Sequence, residues 1–524
     1  MIDNESGATW TCQFNPFNPA DTAVSFGPVY EELEFNDILA KSAKSATTPW
    51  LATGSSWSSG YKKLTFSIRS GVKWRDGTGF SAADVVYTFN AMKADKAIDL
   101  NAIWSNDGGP LTAVKAQGSK VVFSFKSAAQ PYFYYIADQT PIVPRHIWSK
   151  LDQRKLQSYT DTAPVGTGPY KIGSCSGQNI QYLSNSGYWQ GKPGHPVPAV
   201  HEVDYPAFLS NTSANLSLSQ GQAQWGGQYI PNIKSFYVDK DPSANHYWFA
   251  PVLNVSLFPN LTNPLLKQIA VRKAISYALD RATVASRGES GYQKPANQTG
   301  VITPTFSSWF DKSLTLPKYS PSKAIKTLEA AGFKRGSNGI FKSKSGQSLS
   351  FTIKTISGFS DWDASLQLIT QQLKKVGIAV TVQDENSGPY ITALDSGKFE
   401  LAYAGSGGPA PSPGPSPYYE LRGYLFGGNV GSTNYERFNS AATNKLFDQY
   451  AGDTAAQQVQ VIHKIQQVMV NDLPFIPVTE GVDWFQYNSK AFNGWPSPAN
   501  PYAQPAPYET PDMGVVLTHL TPGK

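Results

Sequence analysis

Arg69-Ser70-Gly71-Val72-Lys73-Trp74-Arg75-Asp76-Gly77, continuing through Thr78-Gly79-Phe80 to Ser81-Ala82-Ala83-Asp84-Val85, is the most informative stretch of this sequence. Just before it, Lys63-Leu64-Thr65-Phe66-Ser67-Ile68-Arg69 alternates polar and apolar residues with period two, which predicts a strand. Arg75-Asp76-Gly77 is a turn sequence. Ser81 then suits a helix N-cap, with Asp84 three residues on as an acidic variant of the capping box. Val85, Val86, Phe89 and Met92 give the following helix one buried face. Gly77-Thr78-Gly79-Phe80-Ser81-Ala82 imitates a dinucleotide fingerprint between strand and helix, but Ala82 stands at its third position. No acidic residue follows at the end of a second strand, so no nucleotide cofactor is expected.

Moving toward the N-terminus, Thr9–Phe14 reads as a strand followed by the aromatic loop Phe14-Asn15-Pro16-Phe17-Asn18-Pro19. Toward the C-terminus, residues 120–126 read as a strand and Pro131–Ile136 as the start of a short aromatic run. Val165–Ile172 leads into a hairpin with its turn at Gly173–Gln178 and its return strand at Asn179–Leu183. Within that turn, Gly173-Ser174-Cys175-Ser176-Gly177 imitates a nucleophile elbow. A true elbow joins a strand to a helix, whereas here a strand follows, so a hairpin turn is the better reading. From Gln268 the pattern changes. Helices are predicted at Val271–Leu279, Pro321–Ala331, Asp363–Val376 and Ala455–Asn471, between strands at Ser348–Lys354, Ile378–Gln383 and Glu400–Ala404. This alternation marks an α/β lobe. Gly405–Pro417 is a Pro/Gly/Ser-rich segment inside that lobe, read as a surface or cleft-lining loop.

With 524 residues the chain suits two or three domains. Charged residues make up 16% and aromatics 13%, a balance suited to a neutral, ring-faced or apolar ligand as well as to a ring-rich core. The net charge of +6 is spread along the sequence without a basic run, so nucleic acid is not an expected partner. No stretch approaches the roughly 18 apolar residues of a membrane span, and the first residues show no signal segment, so an export signal is expected to be absent from this chain. Cys12 and Cys175 fit either one disulfide or two buried thiols. The six His residues are scattered without metal-site spacing. No Walker sequence is present, and nothing singles out a carboxylate pair for glycoside hydrolysis. Neither enzyme activity, a metal nor a cofactor is expected.

Taken together, these stretches resemble family 5 of the bacterial extracellular solute-binding proteins of ABC importers (oligopeptide, nickel and oligosaccharide binders of the periplasmic-binding-protein type II class, cluster C). The signature Arg69–Gly77 with Ala82, Asp84 and Val85 carries most of the likeness. Gly166-Thr167-Gly168-Pro169-Tyr170, Tyr188-Trp189-Gln190-Gly191-Lys192-Pro193, Val271-Arg272-Lys273-Ala274 through Asp280-Arg281, Ala330-Ala331-Gly332-Phe333, Leu373-Lys374-Lys375-Val376-Gly377-Ile378 and Leu473-Pro474-Phe475-Ile476-Pro477 follow in family order. The resemblance implies an α/β, two-lobed type II fold with an extra subdomain inserted in the first lobe. Lobe I would take residues 1–35, 165–250 and 485–524, the insertion 36–164, and lobe II 251–484, with crossing strands near 250 and 482. It further implies a monomer that encloses ligand as its lobes close and then docks on membrane permease subunits. Its place would be extracytoplasmic, either periplasmic or lipid-anchored at the cell surface.

Peptide-binding members of the family typically pair the peptide's α-ammonium with an aspartate in the loop after lobe II's late strand, because an unpaired buried ammonium is costly. Here Leu401-Ala402-Tyr403-Ala404-Gly405 runs into the Pro/Gly/Ser loop and Tyr418-Tyr419 with no acidic residue before Glu420. Candidate ligand contacts are instead rings and amides. They are Asn15, Phe17 and Asn18 in the first loop, Trp225, Gln228 and Tyr229, Tyr418 and Tyr419, Trp484, and Trp495 within Asn493–Tyr502. That last segment resembles one in the family's oligosaccharide-binding branch. Ring faces pack on pyranose C–H faces while amides satisfy hydroxyls without formal charge. The expected ligand is a neutral, β-linked, cello-oligosaccharide-like sugar, with an oligopeptide as the alternative and metal chelates behind both.

Overall fold

The signature stretch folds as its local chemistry predicts. The strand Lys63–Ile68 ends in a turn in which the Trp74 amide donates to the Thr78 carbonyl at 2.8 Å and Gly77 takes φ 88°, a conformation suited to glycine. The helix Ala82–Ala94 starts on a complete capping box: the Ser81 amide donates to Asp84 Oδ2 at 2.9 Å, while Ser81 Oγ accepts from the helix's first turn. Ser81→Ala is expected to cost about 1 kcal/mol in chemical denaturation. Two family-like segments meet here. The Arg75 amide donates to the Gly166 carbonyl at 3.0 Å and its Nη2 to the Pro164 carbonyl at 3.2 Å. Gly166 and Gly168 lie against the backbone of Pro28 and Val29; a Cβ on Gly166 would fall 1.7 Å from the Val29 carbonyl oxygen. Glycine is required there by space alone.

This computed structural model describes the whole chain except residues 4–8, 19–23, 41–45, 192–197, 304, 406–409, 411–412 and 524. Two compact units result: unit 1 holds Met1–Trp248 and Trp484–Lys524, and unit 2 holds Phe249–Asp483. The chain thus passes from one unit to the other after Trp248 and after Asp483, against expected lobe II bounds of 251 and 484.

Unit 1 contains an antiparallel sheet in the order Ala52–Ser58, Lys63–Ile68, Lys120–Phe125, Leu111–Gln117. The helix Ala82–Ala94 covers one face, with Phe89 and Phe123 in edge-to-face contact at 4.7 Å. The aromatic run after Pro131 is a short helix, Tyr132–Ala137. Tyr170–Cys175, Asn179–Ser184 and Glu202–Pro206 form a three-stranded meander; the turn expected over Gly173–Gln178 is confined to residues 176–178, because strand pairing continues through Cys175, and a strand rather than a helix follows the elbow-like segment. The strand expected at Thr9–Phe14 does not form. Trp10 donates to the Gly177 carbonyl and Phe14 to that of Asp161, two separate segments, and Cys12 between them takes φ 55°, which interrupts an extended run. Cys12 is disulfide-bonded to Cys175, with a Cα–Cα distance of 5.6 Å.

Unit 2 is built on a six-stranded mixed sheet in the order Lys294–Pro295, Ile476–Asp483, Ala250–Pro259, Leu401–Ala404, Ser350–Ile356, Ala379–Glu385. Ser350–Ile356 pairs parallel with both Ala379–Glu385 and Leu401–Ala404, and the helix Ser360–Lys375 joins it to the first of these as a βαβ unit. The long strands Ala250–Pro259 and Ile476–Asp483 pair antiparallel, with Ala250 opposite Asp483, and both begin or end where the chain changes unit. Helices Ile269–Ala278, Pro321–Ala330, Ala441–Tyr450 and Ala455–Asp472 complete this unit.

Candidate ligand-binding site

The loop after Phe14 is held by Asn15. Its Nδ2 donates to the carbonyls of Leu156, Gln157 and Tyr159 at 2.8–3.1 Å, and its Oδ1 accepts from the Phe17 amide at 3.0 Å. Phe17 is buried edge-on against Trp148, with ring centroids 5.7 Å apart. Asn18 is half-buried, and its amide donates to the Asn15 carbonyl. Asn15 and Phe17 therefore brace the loop, and Asn18 is the member of the trio that keeps some exposure.

A ring-and-amide wall forms in unit 1 where residues before and after unit 2 in sequence come together. The strand Trp225–Gly226 pairs with Gln486–Asn488, which pairs in turn with Asn245–Tyr247. Trp495 packs against Trp225 at 5.5 Å, against Tyr487 at 5.5 Å and against Phe485 at 6.1 Å. Tyr229 meets Trp484 at 5.4 Å. Both indole N–H groups of the central pair are engaged, Trp225 Nε1 with the Pro505 carbonyl at 2.9 Å and Trp495 Nε1 with that of Phe492 at 2.8 Å. Trp225 and Trp495 are 2% and 8% exposed, so packing within unit 1 covers nearly all of their ring surface.

Amides complete this wall. Gln228 Oε1 accepts from the Gly227 amide and Gln486 Nε2 donates to the Gln228 carbonyl, both at 2.9 Å. Gln228 Nε2 and Gln486 Oε1 are buried without a hydrogen-bond partner, one donor and one acceptor among rings. Buried polar atoms of this kind call for an explanation, since leaving them unmade costs about 1–3 kcal/mol each. Gly226 permits the crossing of strand and amide: a Cβ there would lie 2.7 Å from Gln486 Oε1. The structure brings the sequence candidates Trp225, Gln228, Tyr229, Trp484 and Trp495 together and adds Phe485, Gln486 and Tyr487 to the cluster. The alternation Phe485-Gln486-Tyr487 directly after Trp484 is the signal that would have found them.

Tyr418 and Tyr419 belong to unit 2, at the start of the helix Pro417–Leu425. Tyr418 stacks on Tyr450 at 4.3 Å and meets Tyr419 edge-on at 5.2 Å, with the half-exposed Trp309 6.4 Å beyond Tyr450. Of the preceding loop, residues 406–409 and 411–412 lie outside the described part of the chain. Glu420, the first acidic residue after that loop, is buried; its Oε1 accepts from both the amide and Nδ2 of Asn254, at 3.1 and 2.9 Å. Burial pushes its carboxyl up to about 8, with Glu480 nearby adding to the rise. At neutral pH it is mainly protonated and offers no full negative charge to an ammonium.

Among the described residues no group of three or more His, Cys, Asp or Glu side chains is arranged to hold a metal, and no helix is long and apolar enough to cross a membrane. Residues 46–424 match the family described as bacterial extracellular solute-binding proteins, family 5 Middle. The oligopeptide-binding protein AppA of Bacillus subtilis is 28% identical over 330 residues, which span 60% of this chain and 57% of that protein. The nickel-binding periplasmic protein of Escherichia coli is 22% identical over 466 residues, covering 86% and 83%. A mannohexaose-bound periplasmic oligopeptide-binding protein from Thermotoga maritima has a very similar fold, with a TM-score of 0.90 at 24% identity over 100% of this chain and 98% of that one. The nonapeptide complex of the Bacillus protein superimposes with a TM-score of 0.83 at 21% identity, over 100% and 99%.

Proposed function

Because this chain belongs to the bacterial extracellular solute-binding proteins of family 5, we propose that it is the ligand-capturing component of an ABC importer, taking a neutral β-linked oligosaccharide to membrane permease subunits without changing it chemically. The observation that carries the ligand class is the charge-free character of the candidate contacts. Trp225, Trp495, Tyr487 and Tyr229 contribute rings to the cluster, and Gln228 and Gln486 contribute amides, one with a buried donor and one with a buried acceptor unpaired. A sugar offers the complement, apolar C–H faces with hydroxyls at their edges.

The same scaffold holds mannohexaose in the Thermotoga protein and a nonapeptide in the Bacillus one, so the choice between ligand classes rests on side chains. Glu420, held by Asn254 and mainly protonated, is a poor counter-ion for a peptide's α-ammonium. The alternative reading, an oligopeptide, is favoured by the 28% identity to the Bacillus relative. The Cys12–Cys175 disulfide supports an oxidising, extracytoplasmic location, periplasmic or lipid-anchored at the surface.

Titration with cello-, xylo- and manno-oligosaccharides and with short peptides, followed through tryptophan fluorescence, tests this reading. Saturable binding of a sugar is expected; saturation by peptides alone would replace it with the alternative. Trp225→Ala is expected to weaken sugar binding by about 1–3 kcal/mol through loss of a ring contact and slackening of the Trp495 cluster. Affinity that survives unchanged would remove Trp225 from the site.

A further inference from the structure

Sheet pairing gathers lysines that the sequence scatters. Residues 46–69 and 108–137 contain Lys62, Lys63, Arg69, Lys115, Lys120 and Lys126 and no Asp or Glu. These two stretches supply all four strands of the sheet Ala52–Ser58, Lys63–Ile68, Lys120–Phe125, Leu111–Gln117. Leu64, Phe66, Ile68, Val121, Phe123 and Phe125 are buried on its inner face. Side chains alternate along a strand, so Lys63 and Lys120 point to the other face, and Lys115 joins them because it is paired with the outward Val122.

All three lysines are exposed, on a floor of small side chains such as Ser56, Thr65 and Ser124. Strand rise and spacing put their Cα atoms about 8–14 Å apart. Lys62 on the adjoining turn and Lys126 just past its strand extend the charge at one end. There Tyr61 is 39% exposed and leans on Trp57 at 5.8 Å. Among the described residues none of these five lysines has an acidic partner; the ion pairs present use His146, Lys354 and Lys490. Trp57 pairs with Leu64, so the Trp57 and Tyr61 rings close the inner face at that end, and the outward face is cationic with no acidic residue on its strands.

We infer that this outward sheet face rests on an anionic phospholipid surface. Phosphate head groups supply the missing counter-charge across a plane, which suits lysines held at fixed spacing on a rigid sheet. The inference stands whichever ligand the protein carries.

Cosedimentation of the full chain with phosphatidylcholine vesicles, with and without phosphatidylglycerol, tests it. Binding is expected only to the anionic vesicles and to disappear at high salt. The triple variant Lys63→Gln, Lys115→Gln, Lys120→Gln is expected to partition about a hundredfold less, about fivefold per lysine. A control triple of the same charge change on exposed lysines of unit 2, Lys326→Gln, Lys344→Gln, Lys375→Gln, is expected to bind as the parent does. Equal sedimentation with neutral vesicles, or equal loss in the control triple, overturns the inference. So does capture by a soluble polyanion with no vesicle binding, which would make the partner an anionic polymer, or sedimentation without vesicles, which would make it a second copy of this chain.

Discussion

Replacing Arg272 by methionine is expected to lower the unfolding free energy of unit 2 by about 4 kcal/mol. Its guanidinium lies 7% exposed and donates to four backbone carbonyls: Leu266 and Lys267 at 2.7 Å through Nη1, and Asp472 and Leu473 through Nε and Nη2 at 2.6–3.1 Å. The helix Ala455–Asp472 ends with Leu473 at φ 43°, which leaves its last carbonyls without intrahelical donors. Arg272 supplies those donors and sets a cation at the negative end of the helix dipole. Methionine keeps much of the volume but abandons the carbonyls in a dry site, where an unmade bond is dearest. Arg272→Lys should recover part of the loss, since one ammonium cannot reproduce the planar fork. Calorimetry resolving the unit 2 transition checks this, and a loss below about 1 kcal/mol would contradict the role.

Raising the pH from about 4 to 8 is expected to destabilise the protein, the reverse of what salt-bridged carboxylates would do. Burial pushes Asp37 up to about 6, Asp138 to about 7, and Asp3 and Glu420 to about 8. Burial also pushes Glu32 well above the usual carboxylate range, with Asp138, Glu31 and Asp512 as acidic neighbours and both carboxyl oxygens buried. In the unfolded chain these groups ionise near pH 4, whereas folded they keep their protons until pH 6–8. Across that window the native state binds more protons than the unfolded one, so stability is full at the acidic end and lost toward the alkaline end. For Asp138 alone, a rise from 3.8 to about 7 corresponds to a loss on the order of 4 kcal/mol. Asp76, held down by its hydrogen bond with His146, works the other way, but it is largely exposed and its contribution is small. Melting curves across this range should show a falling Tm and a flatter profile for Asp138→Asn. A Tm that rises with pH would contradict the assignment.

Much of the fold was legible because its signals are local. Ser81 and Asp84 announce a helix start within four residues, and Leu64, Phe66 and Ile68 announce a strand face. Some of the family-like residues have an architectural role: Arg75 binds the Gly166 segment, and Arg272 binds the chain just before Pro474, so both join distant parts of the backbone. That is why fold and family could be read more readily than ligand. Thr9–Phe14 was misread because a disulfide partner 163 residues away and the left-handed Cys12 override its local pattern. The setting of Trp225 was equally out of reach, since its partners Trp495 and Pro505 lie in the C-terminal segment. The basic face was invisible for the same reason: Lys63 and Lys120 become neighbours only through strand pairing.

The most direct test of the central claim is calorimetric titration of the purified chain with cellopentaose and with a mixed pentapeptide, followed by recovery of the ligand. Saturable, micromolar or tighter binding of the sugar is expected, with little affinity for the peptide and cellopentaose recovered at its original length. Binding confined to the peptide would show that an ammonium finds a partner despite Glu420, and shortened sugar would show a hydrolase; either result contradicts the account.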